Sequence, residues 1–183
     1  GLHTLDYFNF AHPLTLVAPL GGKNDLLDLL RPPFTVSLDK LPYPANLIEA
    51  EALETAGFPF GVTALPLLHA VPDTGYRFEI DGKSIAYLLD TGTCDNAVTL
   101  AQNADFVITE SGFLPGHVDE DWPHMNPESA ARLAVAANAK QMLLIHFGAA
   151  LYDTIVKRQQ AVETGRKIFP NLIMGLDNME FIL

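Results

Sequence analysis

Residues 68–92 read LHAVPDTGYRFEIDGKSIAYLLDTG and carry the clearest local signals in the chain. Two strand-like runs, residues 76–80 and 84–89, flank Asp81-Gly82, a pair that favours a tight β-hairpin. His69 follows the apolar run that precedes this hairpin, and Asp90 directly follows its second strand. The stretch therefore predicts antiparallel strands with a histidine and an aspartate at strand ends.

The remainder of the chain shows a change of pattern at Asp90. Strands are predicted before the hairpin at residues 14–18, 34–38, 47–53 and 62–68, with a short helix at about 24–30. After Asp90, helices at 95–102, 128–139 and 152–169 alternate with strands at 106–109, 141–145, 172–174 and 179–182. This order predicts an α/β fold with helices on the outer faces of one or two sheets. The proline-rich segments 31–33 and 41–44 are typical of loops, so a single domain over residues 1–183 is predicted.

Five polar side chains stand at or beside the ends of predicted strands. Four of them directly follow an apolar run, and the fifth lies two residues before Asn126, the predicted cap of the helix at 128–139. They are His69, Asp90, Glu110, His146 and His124. In sheet-centred folds, ligands and catalytic groups converge at strand ends. Charged and imidazole groups there are costly to bury without a partner. Each residue alone is more often a hydrogen-bonded structural residue, but the joint pattern indicates a functional site.

The residue types in this set favour a metal centre. Imidazole and carboxylate groups ligate borderline cations such as zinc, and a bridging aspartate suits a pair of ions. Two such ions can lower the pKa of a bound water to about 7 and hold a substrate oxygen. The sequence therefore predicts a metal-dependent hydrolytic site formed from these five residues.

Asp90-Thr91-Gly92 is also typical of aspartic proteases, which need two carboxylates that share a proton. The sequence contains no second Asp-Thr-Gly, and helices are predicted where a protease would be nearly all β. A phosphoaspartyl enzyme would have another aspartate two residues after the first, where this chain has Gly92. Both alternatives are therefore disfavoured.

The other candidate residues carry less weight. His117 lies in an acidic loop at residues 115–121, which is interpreted either as a lid near the site or as a solvated surface loop. His3 and His12 are weak candidates for metal binding. Cys94, the only cysteine, is more readily explained as a small buried residue than as a nucleophile.

The composition restricts the partners that we expect. Of the 183 residues, 49% are hydrophobic and 18% are charged, which indicates a folded chain with a sizeable core. The formal net charge of −11 disfavours large polyanions, so a small-molecule ester is predicted as substrate and nucleic acid is considered unlikely. The apolar runs are too short to span a membrane, and no signal-type segment opens the sequence. Together with the lone cysteine, these features predict a cytoplasmic location.

The order of the motifs resembles the metallo-β-lactamase superfamily, in particular the branch that contains ribonuclease Z and small phosphodiesterases. That branch has a ligand histidine before a Gly-Tyr-Arg strand and then a hairpin that leads to a bridging aspartate, similar to residues 69–91 here. Residues 108–113, ITESGF, resemble its His-Glu-Ala-Thr-Phe segment. Residues 124–131, HMNPESAA, resemble its His-Ser-Thr helix start, and residues 143–147, LLIHF, resemble the strand with its last ligand histidine.

The resemblance implies an αββα sandwich and a dinuclear metal site. By this resemblance His69 and His146 would each bind one metal ion, and Asp90 would bridge the two. The cofactors would be two divalent cations, zinc in the first place, with manganese or iron as alternatives. His124 would be a proton donor or a phosphate contact, positioned by Glu110. A homodimer is also an expectation from the family.

The family places a His-x-His-x-Asp-His cluster upstream of a Gly-Leu pair, and this chain opens with Gly1-Leu2. We therefore expect the cluster and the first strands just before Gly1, with the chain forming the C-terminal two thirds to three quarters of the domain. Two functions follow. The first is metal-dependent hydrolysis of a small phosphodiester by a metal-activated water. The alternative is a degenerate family member that binds a ligand or partner without catalysis.

Overall fold

The computed structural model describes residues 13–183 of the chain. His3 and His12 therefore lie outside the described residues. The chain divides into two compact units, Gly1–Gly57 and Phe58–Leu183. The single domain over residues 1–183 stays a prediction.

The described part of the first unit contains a two-stranded parallel sheet. Strand β1 (Leu14–Ala18) pairs with β2 (Ala45–Glu49), and helix α1 (Lys23–Leu29) lies between them in sequence. Short 3₁₀ helices cover Leu38–Lys40 and Ala50–Thr55. The predicted strand at residues 34–38 is wrong, because this segment forms turns and its Phe34 is exposed. The two prolines before it have no backbone N–H to donate to a sheet partner.

The second unit contains a six-stranded sheet in the order β3-β4-β5-β6-β7-β8. The strands are β3 (Gly61–Leu67), β4 (Asp73–Ile80), β5 (Lys83–Leu88), β6 (Phe106–Ser111), β7 (Met142–Phe147) and β8 (Leu172–Met174). The pairs β3–β4 and β4–β5 are antiparallel, whereas β5 to β8 are mutually parallel. Helices α2 (Asp95–Ala101), α3 (Pro127–Ala136) and α4 (Ile155–Arg166) connect the parallel strands. The predicted α/β class and the alternation after Asp90 are confirmed.

The hairpin between β4 and β5 forms at the predicted turn. Asp81 and Gly82 have φ angles of 51° and 76°, and Ile80 pairs with Lys83 across the turn. Positive φ at both central residues gives the turn whose twist matches that of the flanking strands. This register determines which residues of β4 and β5 share a face, because side chains alternate along each strand.

The core of the second unit lies between one face of the sheet and the three connecting helices. Alternate residues of the strands, Ala86, Leu88, Val107, Met142 and Leu144, are fully buried in one cluster with alanines of α2 and α3. Burial of a leucine of this kind stabilises the fold by about 1.5–3 kcal/mol. Small alanine side chains allow the helices to approach the sheet closely.

The start of α3 and the C-terminal segment of the chain bear on two sequence predictions. Helix α3 begins with a capping box in which the Asn126 side chain accepts from the Ser129 backbone N–H, with Pro127 in the first turn. The predicted strand at residues 179–182 is wrong, because that segment makes no ladder pairing. Instead the Phe181 ring packs against Phe106 with ring centroids 4.9 Å apart. Among residues 13–183, no helix has the length and apolar character needed to cross a membrane.

Candidate metal and proton-transfer site

The topology brings four of the candidate residues to one edge of the six-stranded sheet. Strands β3, β5, β6 and β7 run in the same direction, so their C-terminal ends meet at this edge. His69 follows β3, Asp90 follows β5, Glu110 lies near the end of β6, and His146 lies near the end of β7. The backbone N–H of Gly92 donates to the Leu68 carbonyl over 2.8 Å, which ties the loop after Asp90 to the loop that carries His69.

Glu110 and His124 form a hydrogen-bonded pair. Nδ1 of His124 lies 2.9 and 3.0 Å from the two carboxylate oxygens of Glu110, which is fully buried. The same two oxygens accept from the backbone N–H groups of Thr91 and Gly112. Because a carboxylate only accepts, this pairing assigns the ring proton to Nδ1 and leaves Nε2 of His124 outside the pair. The predicted positioning of His124 by Glu110 thus has a geometric basis.

The electrostatics of Glu110 reflect its burial. Desolvation raises the pKa of Glu110, and the hydrogen bonds from His124, Thr91 and Gly112 oppose this rise. The space beside Glu110 allows only a glycine at position 112. A Cβ atom added at Gly112 would lie 2.6 Å from Oε2 of Glu110, so any larger residue would displace the carboxylate.

Asp90 and His146 approach each other in a different way. Oδ1 of Asp90 lies 2.7 Å from Nε2 of His146, yet this oxygen is buried and has no hydrogen bond of acceptable geometry. Both residues have left-handed backbone conformations, with φ of 49° for Asp90 and 46° for His146. Such conformations cost free energy for residues other than glycine and cluster at functional sites. Two ligand atoms in close contact without a hydrogen bond are what a shared cation would require.

His69 has no hydrogen-bond partner at either ring nitrogen, although both atoms are buried. Its ring centroid lies 5.1 Å from that of His124 and 5.8 Å from that of Trp122. A buried polar atom without a partner costs about 1–3 kcal/mol. Because imidazole nitrogen and carboxylate oxygen are the donors that zinc and similar cations take, His69, Asp90 and His146 fit a divalent cation.

The structure does not place all the predicted ligand atoms within one coordination sphere. Among the described residues, the group whose ligand atoms lie within 4.8 Å of one another consists of Asp90, Glu110 and His124. His69 and His146 are not members of this group. We assign Glu110 to His124 rather than to a metal, since both of its oxygens already accept hydrogen bonds. Asp90 is then the residue that adjoins both parts of the site.

Sequence reasoning missed two residues at this edge. One carboxylate oxygen of Asp73, the first residue of β4, is buried without a partner. Burial raises the pKa of Asp73, and the nearby charge of Asp90 raises it further. The second is Trp122, whose ring contacts both His69 and His124. The strand register of the hairpin could have indicated Asp73, because it projects Asp73 to a position opposite Asp90.

The loop that contains His117 lies beside the site, as one of its two interpretations predicts. A pocket of about 260 Å³ is lined by His124, by the loop residues Val118, Asp119 and Glu120, and by Gly92 and Thr93 of the loop after Asp90. The Asn126 side chain donates to the His117 carbonyl over 2.8 Å, which fixes the loop to the start of α3. The loop therefore forms a wall next to His124.

A model of the family described as "Beta-lactamase superfamily domain" matches residues 1–147. The chain belongs to this family. The ribonuclease Z of Chlamydia abortus is 40% identical to it over 93 residues, which is 50% of this chain and 29% of that protein. The matched region thus covers less than a third of the length of this curated relative. The predicted membership in this hydrolase superfamily is confirmed.

Solved structures share the fold at low sequence identity. The metallo-beta-lactamase fold protein YhfI from Bacillus subtilis superposes with a TM-score of 0.72 at 20% identity, over 94% of this chain and 66% of that one. Human tRNase Z, short form, gives 0.64 at 20% identity, over 97% and 70%. Zn²⁺-bound PqqB from Methylobacterium extorquens gives 0.63 at 16% identity, over 98% and 68%. The metallo-β-lactamase fold expected from the sequence is thereby confirmed.

One prediction is wrong. A nucleic-acid substrate was considered unlikely on the basis of the net charge of −11. Relatives of this chain are named ribonuclease Z, and a structural neighbour is a tRNase Z. Net charge is a sum over the whole chain, whereas the charge that a phosphate meets is set locally and includes any bound cations. The acidic composition therefore does not exclude RNA.

Proposed function

We propose that this protein is a metal-dependent phosphodiesterase and that RNA is among its substrates. The observation that carries the proposal is the pairing of two kinds of group at one sheet edge. His69 and Asp90 have buried polar atoms that lack hydrogen-bond partners, and Asp90 lies 2.7 Å from Nε2 of His146. In contrast, both carboxylate oxygens of Glu110 accept hydrogen bonds from the backbone and contact Nδ1 of His124. The first set suits cations and the second suits proton transfer.

In this proposal His69 and His146 would hold one divalent cation each, and Asp90 would bridge them. Zinc fits the donor set, and manganese or iron would accept the same groups. When bound, such ions lower the pKa of water to about 7 and stabilise charge on a phosphoryl oxygen. The short approach of Asp90 to His146 supports a shared position for their ligand atoms.

The chain's own acid would be His124. Glu110 holds the Nδ1 proton and stabilises the protonated ring, so that Nε2 can donate its proton to the leaving oxygen as the phosphorus–oxygen bond breaks. An alkoxide is a poor leaving group without such a proton. The adjacent pocket of about 260 Å³ gives the leaving group space beside His124. The names of the relatives support RNA as the polymer that carries this bond.

The test compares two substrates under identical metal loading. The purified protein is loaded with zinc or manganese and given a transfer RNA transcript and bis(p-nitrophenyl) phosphate. We expect hydrolysis of both, a loss of about 10²- to 10⁴-fold for His124→Gln, and near-normal rates for His117→Gln, the matched histidine on the same loop. Metal binding without hydrolysis of either ester would refute the proposal and favour a degenerate member that only binds.

A further inference from the structure

Trp122 is the only tryptophan of the chain, and it lies at the candidate site with about half of its surface exposed. Its ring centroid is 5.8 Å from that of His69 and 6.2 Å from that of His124. A single exposed apolar side chain is ordinary on a protein surface. Its position between a proposed metal ligand and the proposed acid is what requires an explanation.

The backbone of Trp122 is held in place. Oδ1 of Asp119 accepts from the backbone N–H groups of Asp121 and Trp122, at 3.0 and 3.1 Å. This turn closes residues 119–122, and Pro123 then restricts the next backbone angle. The backbone that carries the indole is therefore held by a structured turn, so little backbone entropy is lost when a ligand contacts Trp122.

The indole is half exposed and is not stacked on another ring. The planes of His69 and His124 are inclined to the indole by 64° and 50°, so neither ring stacks on it. Among the described residues, these two histidines are the only aromatic rings paired with Trp122. The exposed part of the indole can therefore take a further ring by offset stacking.

The charge around Trp122 selects what can stack there. Asp119, Glu120 and Asp121 are exposed carboxylates directly before it in the sequence. They would repel a second phosphate but not a neutral nucleobase. Stacking of a base on an aromatic side chain is insensitive to base identity, because every base has a π face.

We propose that Trp122 is a stacking platform for the nucleobase next to the phosphate that is cleaved. The role rests on the proposed phosphodiesterase function. It assigns a substrate-positioning role to the residue that follows the acidic loop. It also places the base, rather than the sugar or a second phosphate, on this side of the site. The platform favours nucleotide diesters over diesters without a ring, and it does so without base specificity.

The binding test uses the intrinsic fluorescence of Trp122, which reports only on this position. The protein is titrated with cytidine monophosphate, adenosine monophosphate and ribose 5-phosphate. We expect saturable quenching by both nucleotides and no comparable change with ribose 5-phosphate, which has the phosphate but no base. Equal responses to all three, or no response to the nucleotides, would overturn the platform. This readout does not need turnover, so it stays decisive if hydrolysis fails.

The kinetic test uses an RNA dinucleotide and its analogue that lacks the base next to the scissile phosphate. Trp122→Ala should lower kcat/KM for the dinucleotide by about ten- to a hundredfold, mainly through KM, and leave the abasic analogue nearly unchanged. Trp122→Phe should recover most of the loss, and Val135→Ala, at an exposed apolar residue near the C-terminal end of α3, should have no effect. Equal losses on both substrates would mean that Trp122 only supports the loop. If neither substrate is cleaved by the wild type while nucleotides still quench, the phosphodiesterase proposal fails and only the stacking of nucleobases on Trp122 is retained.

Discussion

Two groups of side chains lie at the same sheet edge and differ in how their polar atoms are satisfied. Glu110 is fully buried, and both of its oxygens accept hydrogen bonds from His124 and from the backbone. His69 and Asp90 have buried ligand atoms without hydrogen bonds, and Asp90 meets His146 at 2.7 Å. The first group is complete within the chain, whereas the second lacks a partner.

This difference indicates how the fold divides its tasks. A hydrogen-bonded pair stabilises the protein and fixes the tautomer of a histidine that can transfer a proton. Unpartnered buried atoms at His69 and Asp90 reduce stability, as does the left-handed backbone at Asp90 and His146, and this cost is recovered only when a ligand binds. Substitutions in the two groups should therefore have opposite consequences for metal binding and for unfolding.

The largest effect is expected from Asp90→Asn. Asp90 adjoins both His146 and the Glu110–His124 pair, so its charge serves the whole site. We expect hydrolysis to fall by at least about 10⁴-fold, at or beyond the upper end of what a single acid–base group contributes. Initial rates on bis(p-nitrophenyl) phosphate measure this loss.

The control for Asp90→Asn is Asp81→Asn at the opposite end of the same hairpin. Asn-Gly suits this turn as well as Asp-Gly does, so the fold and the rate should be unchanged. If both substitutions lowered the rate similarly, the loss at Asp90 would reflect the hairpin rather than the site.

The next effect concerns the proton. Glu110→Gln keeps the size of the side chain but gives a donor where the backbone and His124 need acceptors. We expect a rate loss of about 10- to 100-fold, as for other residues that orient a functional histidine. The free energy of unfolding should fall by about 1–3 kcal/mol, because a buried donor loses its partner. Urea denaturation and initial rates on the same samples measure both; an unchanged unfolding midpoint would contradict the pairing.

A third effect is a gain in stability. In the metal-free protein, His69→Leu replaces buried nitrogens that have no partners with an apolar group of similar volume. We expect the free energy of unfolding of the metal-free variant to equal that of the metal-free wild type or to exceed it by up to about 1–3 kcal/mol. The variant should also lose the stabilisation that added zinc gives the wild type. Thermal unfolding with and without zinc is the measurement. A strongly destabilised metal-free variant would show that His69 has a structural partner after all.

The smallest effect is expected at Asp105, a carboxylate away from the site whose hydrogen-bond partners all belong to the protein. Asp105 accepts from the backbone and hydroxyl of Ser84 and pairs with Lys140, and these contacts hold the pKa of Asp105 well below its usual value of 3.8. A lowered pKa in the folded state contributes stability above pH 3.8, and this contribution is lost as the pH falls towards the lower, folded-state value. Asp105→Asn should therefore be slightly less stable than wild type at pH 7, and the difference should shrink in acid. Denaturation curves at pH 7 and pH 3 test this; a difference that grows in acid would reverse the assignment.

Much of the second unit could be predicted from local sequence. The turn at Asp81-Gly82 and the cap at Asn126 each depend on a few neighbouring residues, and both formed where predicted. The strands at 34–38 and 179–182 were wrong because a short apolar run becomes a strand only if a neighbouring strand pairs with it. That condition depends on tertiary structure.

The candidate site also contains features that the sequence could predict and features that it could not. The position of residues at strand ends could be predicted, because parallel strands bring their ends to one edge. Asp73 could have been added from the register of the predicted hairpin, whereas the position of Trp122 could not, since it depends on a turn closed by Asp119. The separation of ligand atoms into a satisfied and an unsatisfied group also requires coordinates, because identical residue types occur in both.

The most direct test of this division is a metal titration by isothermal calorimetry on the wild type, His146→Ala and His124→Ala. We predict that zinc or manganese affinity falls by more than about a hundredfold in His146→Ala and changes by less than about threefold in His124→Ala, although His124→Ala loses hydrolysis. The opposite pattern, with metal lost in His124→Ala and retained in His146→Ala, would place the cation at Asp90, Glu110 and His124 and would contradict the account.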